Sequence, residues 1–243
     1  MKVIFCVYCI MVTYLTSCNG NFLSKFQICS RSDPNMNKCL KEAIQNALRV
    51  LKNGLPEYNY PSMDPIKMKD WAVQPSAVFN FLQQFQNIEL FNHTDARIRE
   101  VEVKIMDSRF FLNIKYTAPT ITISTDYNYT HAIINGVDYT SNGRAVYMIV
   151  NYRGDLSMVG KIGENGFLFI TKSQLSIEGD TFYSVYNTTN EELSKTINSF
   201  IDTHRLLIYP HVMKKFGDLY AHVYKDLANI IFSQILFDDI FPA

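Results

Sequence analysis

Between residues 190 and 236 apolar side chains recur with a helical period over an unusually long stretch. Leu193, Ile197, Phe200, Ile201 and Leu207, then Phe216, Leu219, Tyr220, Val223, Leu227, Ile231 and Ile235 share one broad face, with Lys195, Lys214, Lys215, Asp218, Lys225 and Asp226 between them. Thr189 is placed to cap the helix, Glu191 and Glu192 suit its positive end, and Pro242 lies just beyond it. Pro210 is expected to kink the helix rather than end it, because the apolar period resumes on the far side. One unbroken helix would be roughly 70 Å long at about 1.5 Å per residue, against about 45 Å for the diameter of a ball of this size. Either the molecule is elongated and something long and apolar wraps the helix, or the helix breaks at Pro210 into two shorter ones. The strand-like character of the preceding segments favours the wrapped rod.

A second amphipathic helix opens at Asp33-Pro34, with Asp33 as cap and Met36, Leu40, Ala43, Ile44, Ala47, Leu48 and Leu51 on one face, and closes at Asn53-Gly54. Three prolines between Gly54 and Ile66 exclude helix and favour an extended, ordered connection. From about Trp71 to Tyr186 the pattern is that of strands. Val101, Val103 and Ile105 alternate with Glu100, Glu102 and Lys104; Phe110, Leu112, Ile114 and Tyr116 alternate with Asn113 and Lys115; Ile121 and Ile123 alternate with Thr120, Thr122 and Ser124. Turns are expected at Asn92 to Asp95, Asn135-Gly136, Ser141-Asn142-Gly143, Arg153-Gly154 and Gly163-Glu164-Asn165-Gly166. The run from Ala145 to Val150 is apolar on both faces and is expected either to be covered twice, the more ordinary case, or to line something that is not water. No linker or repeat divides the region, so residues 21–243 are expected to form one domain.

Residues 1–20 have the form of a secretory signal: Lys2, then an apolar run from Val3 to Leu15, then Ser17, Cys18 and Gly20. The run is too short to span a bilayer, so no stable membrane insertion is expected. Cleavage there removes Cys6, Cys9 and Cys18 and leaves Cys29 and Cys39 as the only pair in a chain bound for an oxidising compartment, where they are expected to bond to each other. The acceptor triplets Asn92-His93-Thr94, Asn128-Tyr129-Thr130 and Asn187-Thr188-Thr189 fit that route as glycosylation sites. With 23 basic and 23 acidic side chains there is no net field to attract nucleic acid.

No catalytic constellation emerges. There is no G-x-S-x-G, P-loop, G-x-G-x-x-G or H-E-x-x-H pattern, and His93, His131, His204, His211 and His222 are scattered without metal-ligand spacing. No enzyme activity, no metal and no cofactor is expected. An ester hydrolase would need a Ser-His pair within hydrogen-bond reach.

The residues Cys29 and Cys39 flanking Arg31-Ser32-Asp33, the passage from Asn53-Gly54-Leu55-Pro56 to Met63-Asp64-Pro65-Ile66, Phe216-Gly217-Asp218, Lys225-Asp226-Leu227-Ala228-Asn229 and Leu236-Phe237-Asp238-Asp239-Ile240-Phe241-Pro242 resemble the insect haemolymph juvenile-hormone-binding and takeout-like secreted proteins. The resemblance covers essentially the whole mature chain. It implies an α+β fold in which a strongly curved antiparallel sheet, a super-roll, wraps one long C-terminal helix, with a short N-terminal helix and an apolar tunnel for a lipid-like ligand. The hormone carriers have a second disulfide for which the mature chain lacks cysteines, so the resemblance is closer to the takeout-like branch.

Two functions follow. The first is a secreted extracellular carrier of a small hydrophobic ligand, a terpenoid or fatty-acid derivative, in haemolymph or another extracellular fluid. Its candidate wall is Val212, Phe216, Leu219, Val223, Leu227 and Ile231 on the helix and Phe110, Leu112, Ile114, Tyr147 and Ile149 on strands. The second is a secreted interaction or signalling protein whose interior is filled by its own side chains. The sequence names no protein partner.

Overall fold

A computed structural model describes residues 22–243. The expected leader at residues 1–20, with Cys6, Cys9 and Cys18, lies outside the described residues.

Helix α1 (Met36–Val50) buries Leu40 and Leu48. Its entry is organised by Asp33, whose Oδ1 accepts from the Asn35 amide at 2.7 Å, although the capping position itself is Asn35 rather than Asp33. Gly54, at φ +77°, closes the far side as the Asn-Gly pair predicts. Cys39 in α1 is bonded to Cys29, as expected.

The sheet contains β1 (Ile66–Met68), β2 (Trp71–Val73), β3 (Leu82–Phe91), β4 (Arg97–Met106), β5 (Arg109–Thr130), β8 (Ser141–Ile162), β9 (Leu168–Glu178) and β10 (Thr181–Thr188); β6 (Ile133–Ile134) and β7 (Val137–Asp138) form a separate small hairpin on Asn135-Gly136. All pairings are antiparallel. The spine is β5 with β8, 22 residues each, paired from Arg109 opposite Lys161 to Tyr129 opposite Ser141. On the outer side of β5, β4 takes the first half and β3 the second; on the outer side of β8, β10 takes the first half and β9 the second. A strand of that length is about 70 Å long if straight, at about 3.3 Å per residue, more than the diameter of about 45 Å of a ball of this size. The strands therefore curl. Pro119, which has no N–H for the ladder, lies in the gap between the pairs Ala118–Tyr152 and Thr120–Val150, beside Asn151 at φ 51°.

Several expectations are corrected here. Ser141-Asn142-Gly143 and Arg153-Gly154 are not turns but lie inside β8. Gly154 faces the Tyr116 ring so closely that a Cβ would collide with it, so the glycine serves close packing. The run from Ala145 to Val150 is not covered twice: Ala145, Tyr147 and Ile149 are buried, whereas Val146, Met148 and Val150 are half-exposed.

The long C-terminal helix expected against the sheet is present as α3 (Arg205–Phe232); what is corrected is its unbroken length, since α2 (Glu191–Thr203) is separated from it at His204, and a short α4 (Phe237–Ile240) follows. The N-cap of α2 is Asn190, whose Oδ1 accepts from the Leu193 amide at 3.1 Å, rather than Thr189. Pro210 sits inside α3 and has no N–H to give the carbonyl one turn earlier, that of Leu206, a residue that is 93% exposed. Leu206 and Leu207, in the first turn of α3, are exposed, and the interruption at His204 just before them separates α2, which packs on β10, from α3, which packs on β9. At 28 residues α3 is about 42 Å long, a length that a ball of this size does accommodate.

Helix α3 is pinned to β9 by polar contacts as well as apolar ones. Gly217 approaches the Leu175 carbonyl so closely that a Cβ has no room. Asn229 Oδ1 accepts from the Ile170 amide at 2.7 Å and its Nδ2 donates to the Ile170 carbonyl at 3.0 Å. Tyr209 bonds both the N–H and the C=O of Gly179 at 2.9 Å. At the other flank Gln45 of α1 bonds the Ala96 carbonyl and the Ile98 amide, so the helix satisfies an edge of the sheet. Alanine is the better helix former by about 1 kcal/mol, yet Gly217→Ala is expected to lower stability by about 1–3 kcal/mol in chemical denaturation because it pushes α3 off the sheet; a variant as stable as the parent would show that this approach is not tight.

Candidate functional site

The inward face of α3 runs through Phe216, Tyr220, Tyr224 and Leu227, all buried, at helical spacing. Against it the buried side chains of β5 and β8 supply Phe110, Ile114, Tyr116, Tyr147 and Tyr152. Packing along this seam is incomplete, and three cavities follow one another down the helix.

The first, about 30 Å³, lies beside Ile208, His211, Val212, Lys215 and Phe216, with Tyr147, Phe182, Ser184 and Tyr186 opposite and Trp71, Phe79 and Gln83 closing the side. The middle one, about 140 Å³, is bounded by Tyr224 and Leu227 on the helix, His93, Tyr116, Ile114 and Met158 on the sheet side, and Ile44 and Leu48 of α1. The last, about 190 Å³, is lined by Ile231, Phe232 and Ile235, by Phe110 and Leu112, and by Ala43, Ile44 and Ala47 of α1, with the N-terminal Phe22 and Phe26 and the C-terminal Phe241 over it. Ile44 is common to the last two. A dry apolar cavity of about 150 Å³ is enough to take a small hydrocarbon.

The polar groups of the middle cavity are organised by Asp64. Its Oδ1 accepts from the Asn92 amide at 3.0 Å and its Oδ2 from Thr94 Oγ1 at 2.8 Å, which fixes the single helical turn His93–Asp95 and holds His93 inward. His93 Nδ1 and Tyr224 Oη share a hydrogen bond of 2.9 Å, and Tyr116 and Tyr152 share one of 3.2 Å. Burial pushes the His93 imidazole down to about 4, against the opposing pull of Asp64, and raises the phenols of Tyr116, Tyr152, Tyr220 and Tyr224. At neutral pH all of these are uncharged, so these groups offer hydrogen bonds without ions.

Between the first and middle cavities stands Tyr220. It is 1% exposed, its ring stacks on Phe216 at 5.9 Å, and its hydroxyl has no partner. Ser184 Oγ and His211 Nε2 in the first cavity are likewise buried without partners. They do not bond each other, so the Ser-His contact that an ester hydrolase requires is not made. No group of three metal-ligating side chains is assembled among the described residues.

Of the wall residues expected from sequence, Val212, Phe216 and Tyr147 line the first cavity, Leu227 and Ile114 the middle one, and Ile231, Phe110 and Leu112 the last. Leu219 and Val223 are half-buried beside this face, and Ile149 is fully buried core; none of them lines one of these three cavities. The structure thus distributes the expected wall among separate spaces. Tyr224, His93 and Tyr116 are not singled out by the sequence pattern, although Phe216, Tyr220 and Tyr224 repeat at intervals of four. Asn128 and Asn187 are exposed, whereas Asn92 is half-buried and Thr94 of its triplet is buried against Asp64. No helix among the described residues is long and apolar enough to cross a membrane.

The sequence model of a family described as haemolymph juvenile hormone binding protein (JHBP) matches residues 5–242. The crystal structure of Takeout 1 from Epiphyas postvittana superposes with a TM-score of 0.71 at 17% sequence identity, over 89% of this chain and 100% of that one, which establishes a shared fold. A structure of lipopolysaccharide binding protein aligns over 82% of this chain and 38% of its own at 11% identity, with a TM-score of 0.38, too low to support an argument. No curated protein matches the sequence.

Two outcomes test this geometry. His93 titrates near 4 in the folded chain against 6.5 ordinarily, so as pH falls the unfolded chain takes up its proton first. Stability that is full above about pH 6.5 is expected to decline towards pH 4 by roughly 3 kcal/mol from this residue. Denaturant melts at pH 7 and about pH 4.5 measure the loss, and a His93→Gln variant with the same acid sensitivity would contradict the assignment. Tyr220→Phe removes a buried hydroxyl that has no partner and is expected to stabilise the protein by about 1 kcal/mol; a lower melting temperature would show that the hydroxyl is bonded.

Proposed function

The chain belongs to the haemolymph juvenile hormone binding protein family, and from that premise we propose that it is a secreted carrier holding a small hydrophobic molecule between α3 and the curled sheet. The observation that supports this most is the row of cavities along α3, apolar apart from uncharged hydrogen-bonding groups and, in the first, the side chain of Lys215. A terpenoid or fatty-acid-like chain suits such a seam. Its binding free energy comes from apolar surface at about 25 cal/mol per Å², less the cost of ordering ligand and side chains. The neutral phenols and His93 orient a polar group without the desolvation cost that an ion pair brings.

The ligand enters as a chain that threads the seam, displacing Tyr220 where the cavities are divided and joining them into a tunnel. Helix α1 covers the last cavity with Ala43 and Ala47 and carries the disulfide to Cys29 near its start, so it is the element that opens. The disulfide and the sequon residues Asn128 and Asn187 on the surface fit an extracellular protein with glycans at those two positions. Residues 21–243 act as one unit, and no chemistry is performed on the cargo.

A second reading, a secreted partner-binding protein with no cargo, draws on Tyr220, which keeps the first cavity apart. Mass spectrometry of organic extracts of the purified protein decides between them. The carrier reading expects a lipid at close to one equivalent, and Ala47→Phe, which fills the last cavity, is expected to weaken uptake of a neutral apolar fluorophore about tenfold, the equivalent of roughly 1.4 kcal/mol, with the fold retained. Empty extracts and no fluorophore uptake by the native protein would favour the partner reading.

A further inference from the structure

The first cavity differs from the other two in what it leaves unpaired. Ser184 Oγ from β10 and His211 Nε2 from α3 are buried there without hydrogen-bond partners. Gln83, 7% exposed, lines the same space, and its amide makes no side-chain hydrogen bond among the described residues. Lys215, half-buried one helical turn beyond His211, also lines it and makes no ion pair among the described residues. No acidic side chain lines this cavity. Buried polar groups are almost always satisfied, and several unsatisfied ones facing a common space are the mark of a missing hydrogen-bonding group.

The chemistry of these four side chains selects the group. Burial, with Lys215 and Lys214 nearby, holds the His211 imidazole below its ordinary value, so at neutral pH it is uncharged; with its proton on Nε2 it donates one hydrogen bond into the cavity. The Ser184 hydroxyl and the Gln83 amide donate as well. Three donors, with the side chain of Lys215 lining the space and making no ion pair among the described residues, make an acceptor site of positive rather than negative character. A neutral hydroxyl or ester would leave the charge of Lys215 unmatched, and a bulky ring would not fit about 30 Å³. A carboxylate has two acceptor oxygens, one negative charge and three heavy atoms. The floor below it is apolar, formed by Tyr147, Phe182 and Phe216, and leads towards Tyr220.

We propose that this cavity binds the carboxylate of a single-chain amphiphile, with Ser184, His211 and Gln83 donating to its oxygens, Lys215 matching its charge, and its tail directed along α3 towards the middle cavity. The assignment deepens the carrier reading and rests on it: it makes the cargo an acid rather than an ester or a hydrocarbon.

The test compares palmitate with methyl palmitate as competitors of a neutral apolar fluorophore, for the full mature chain at neutral pH. The acid is expected to displace the probe at concentrations at least about tenfold below those of the ester, and Ser184→Ala/His211→Leu is expected to bring the two within about twofold while ester binding persists. Equal binding of acid and ester to the native protein, or discrimination that survives the double variant, overturns the assignment and leaves the carrier reading standing; in that event a water molecule bridges the pair. If neither competes, the carrier reading fails and the anchor with it. Should the double variant lose ester binding, Lys215→Met on the half-exposed helix face replaces it, and undiminished discrimination there counts against the proposal.

Discussion

The seating of α3 on β9 governs the rest of the structure. Gly217 against the Leu175 carbonyl and Asn229 against both backbone groups of Ile170 fix the height and the rotation of the helix at two points three turns apart. With the rotation fixed, Phe216, Tyr220, Tyr224 and Leu227 must face β5 and β8. Helix backbone and strand backbone touch on one side, so the large side chains on the neighbouring face hold the sheet away from the helix on the other. The cavities lie on that second side, where rings span the gap without filling it.

Curling of the sheet follows from length. Strands of 22 residues would run about 70 Å if straight, more than the diameter of about 45 Å of a ball of this size, and the ladder is interrupted at Pro119 and Asn151. Each half of the bent spine takes a different outer neighbour, which leaves distinct edges, and helices cover them: α1 lies on β4, α2 on β10 and α3 on β9. The break at His204 lets the chain leave β10 and cross to β9, at the cost of leaving Leu206 and Leu207 in water.

Much of this is legible in the residues, for physical reasons. Alternation in 101–105 and 110–116 marks strands with one wet face, the helical period marks α3, and Gly163-Glu164-Asn165-Gly166 and Asn135-Gly136 mark real turns. Ser141-Asn142-Gly143 and Arg153-Gly154 mislead because glycine serves close packing in a strand as well as reversal, and only the partner, Tyr116 in the case of Gly154, tells which. The length of the rod is misjudged because Pro210 draws attention from the interruption at His204, just before the exposed Leu206 and Leu207. The site is legible only in its apolar part. His93 becomes a site residue through Asp64, 29 positions earlier, and Ser184 and His211 meet through tertiary packing that no local pattern encodes.

The central claim is that the seam between α3 and the β5–β8 spine is a place for cargo rather than a flaw in packing. A crystal structure of the protein with a dibrominated fatty acid tests it most directly, because bromine scatters anomalously and needs no prior choice of position. The account predicts anomalous peaks inside the seam, between Tyr224, Leu227 or Ile231 and the strands. Bromine confined to the molecular surface, with Tyr220 in place and the interior unchanged, would contradict it.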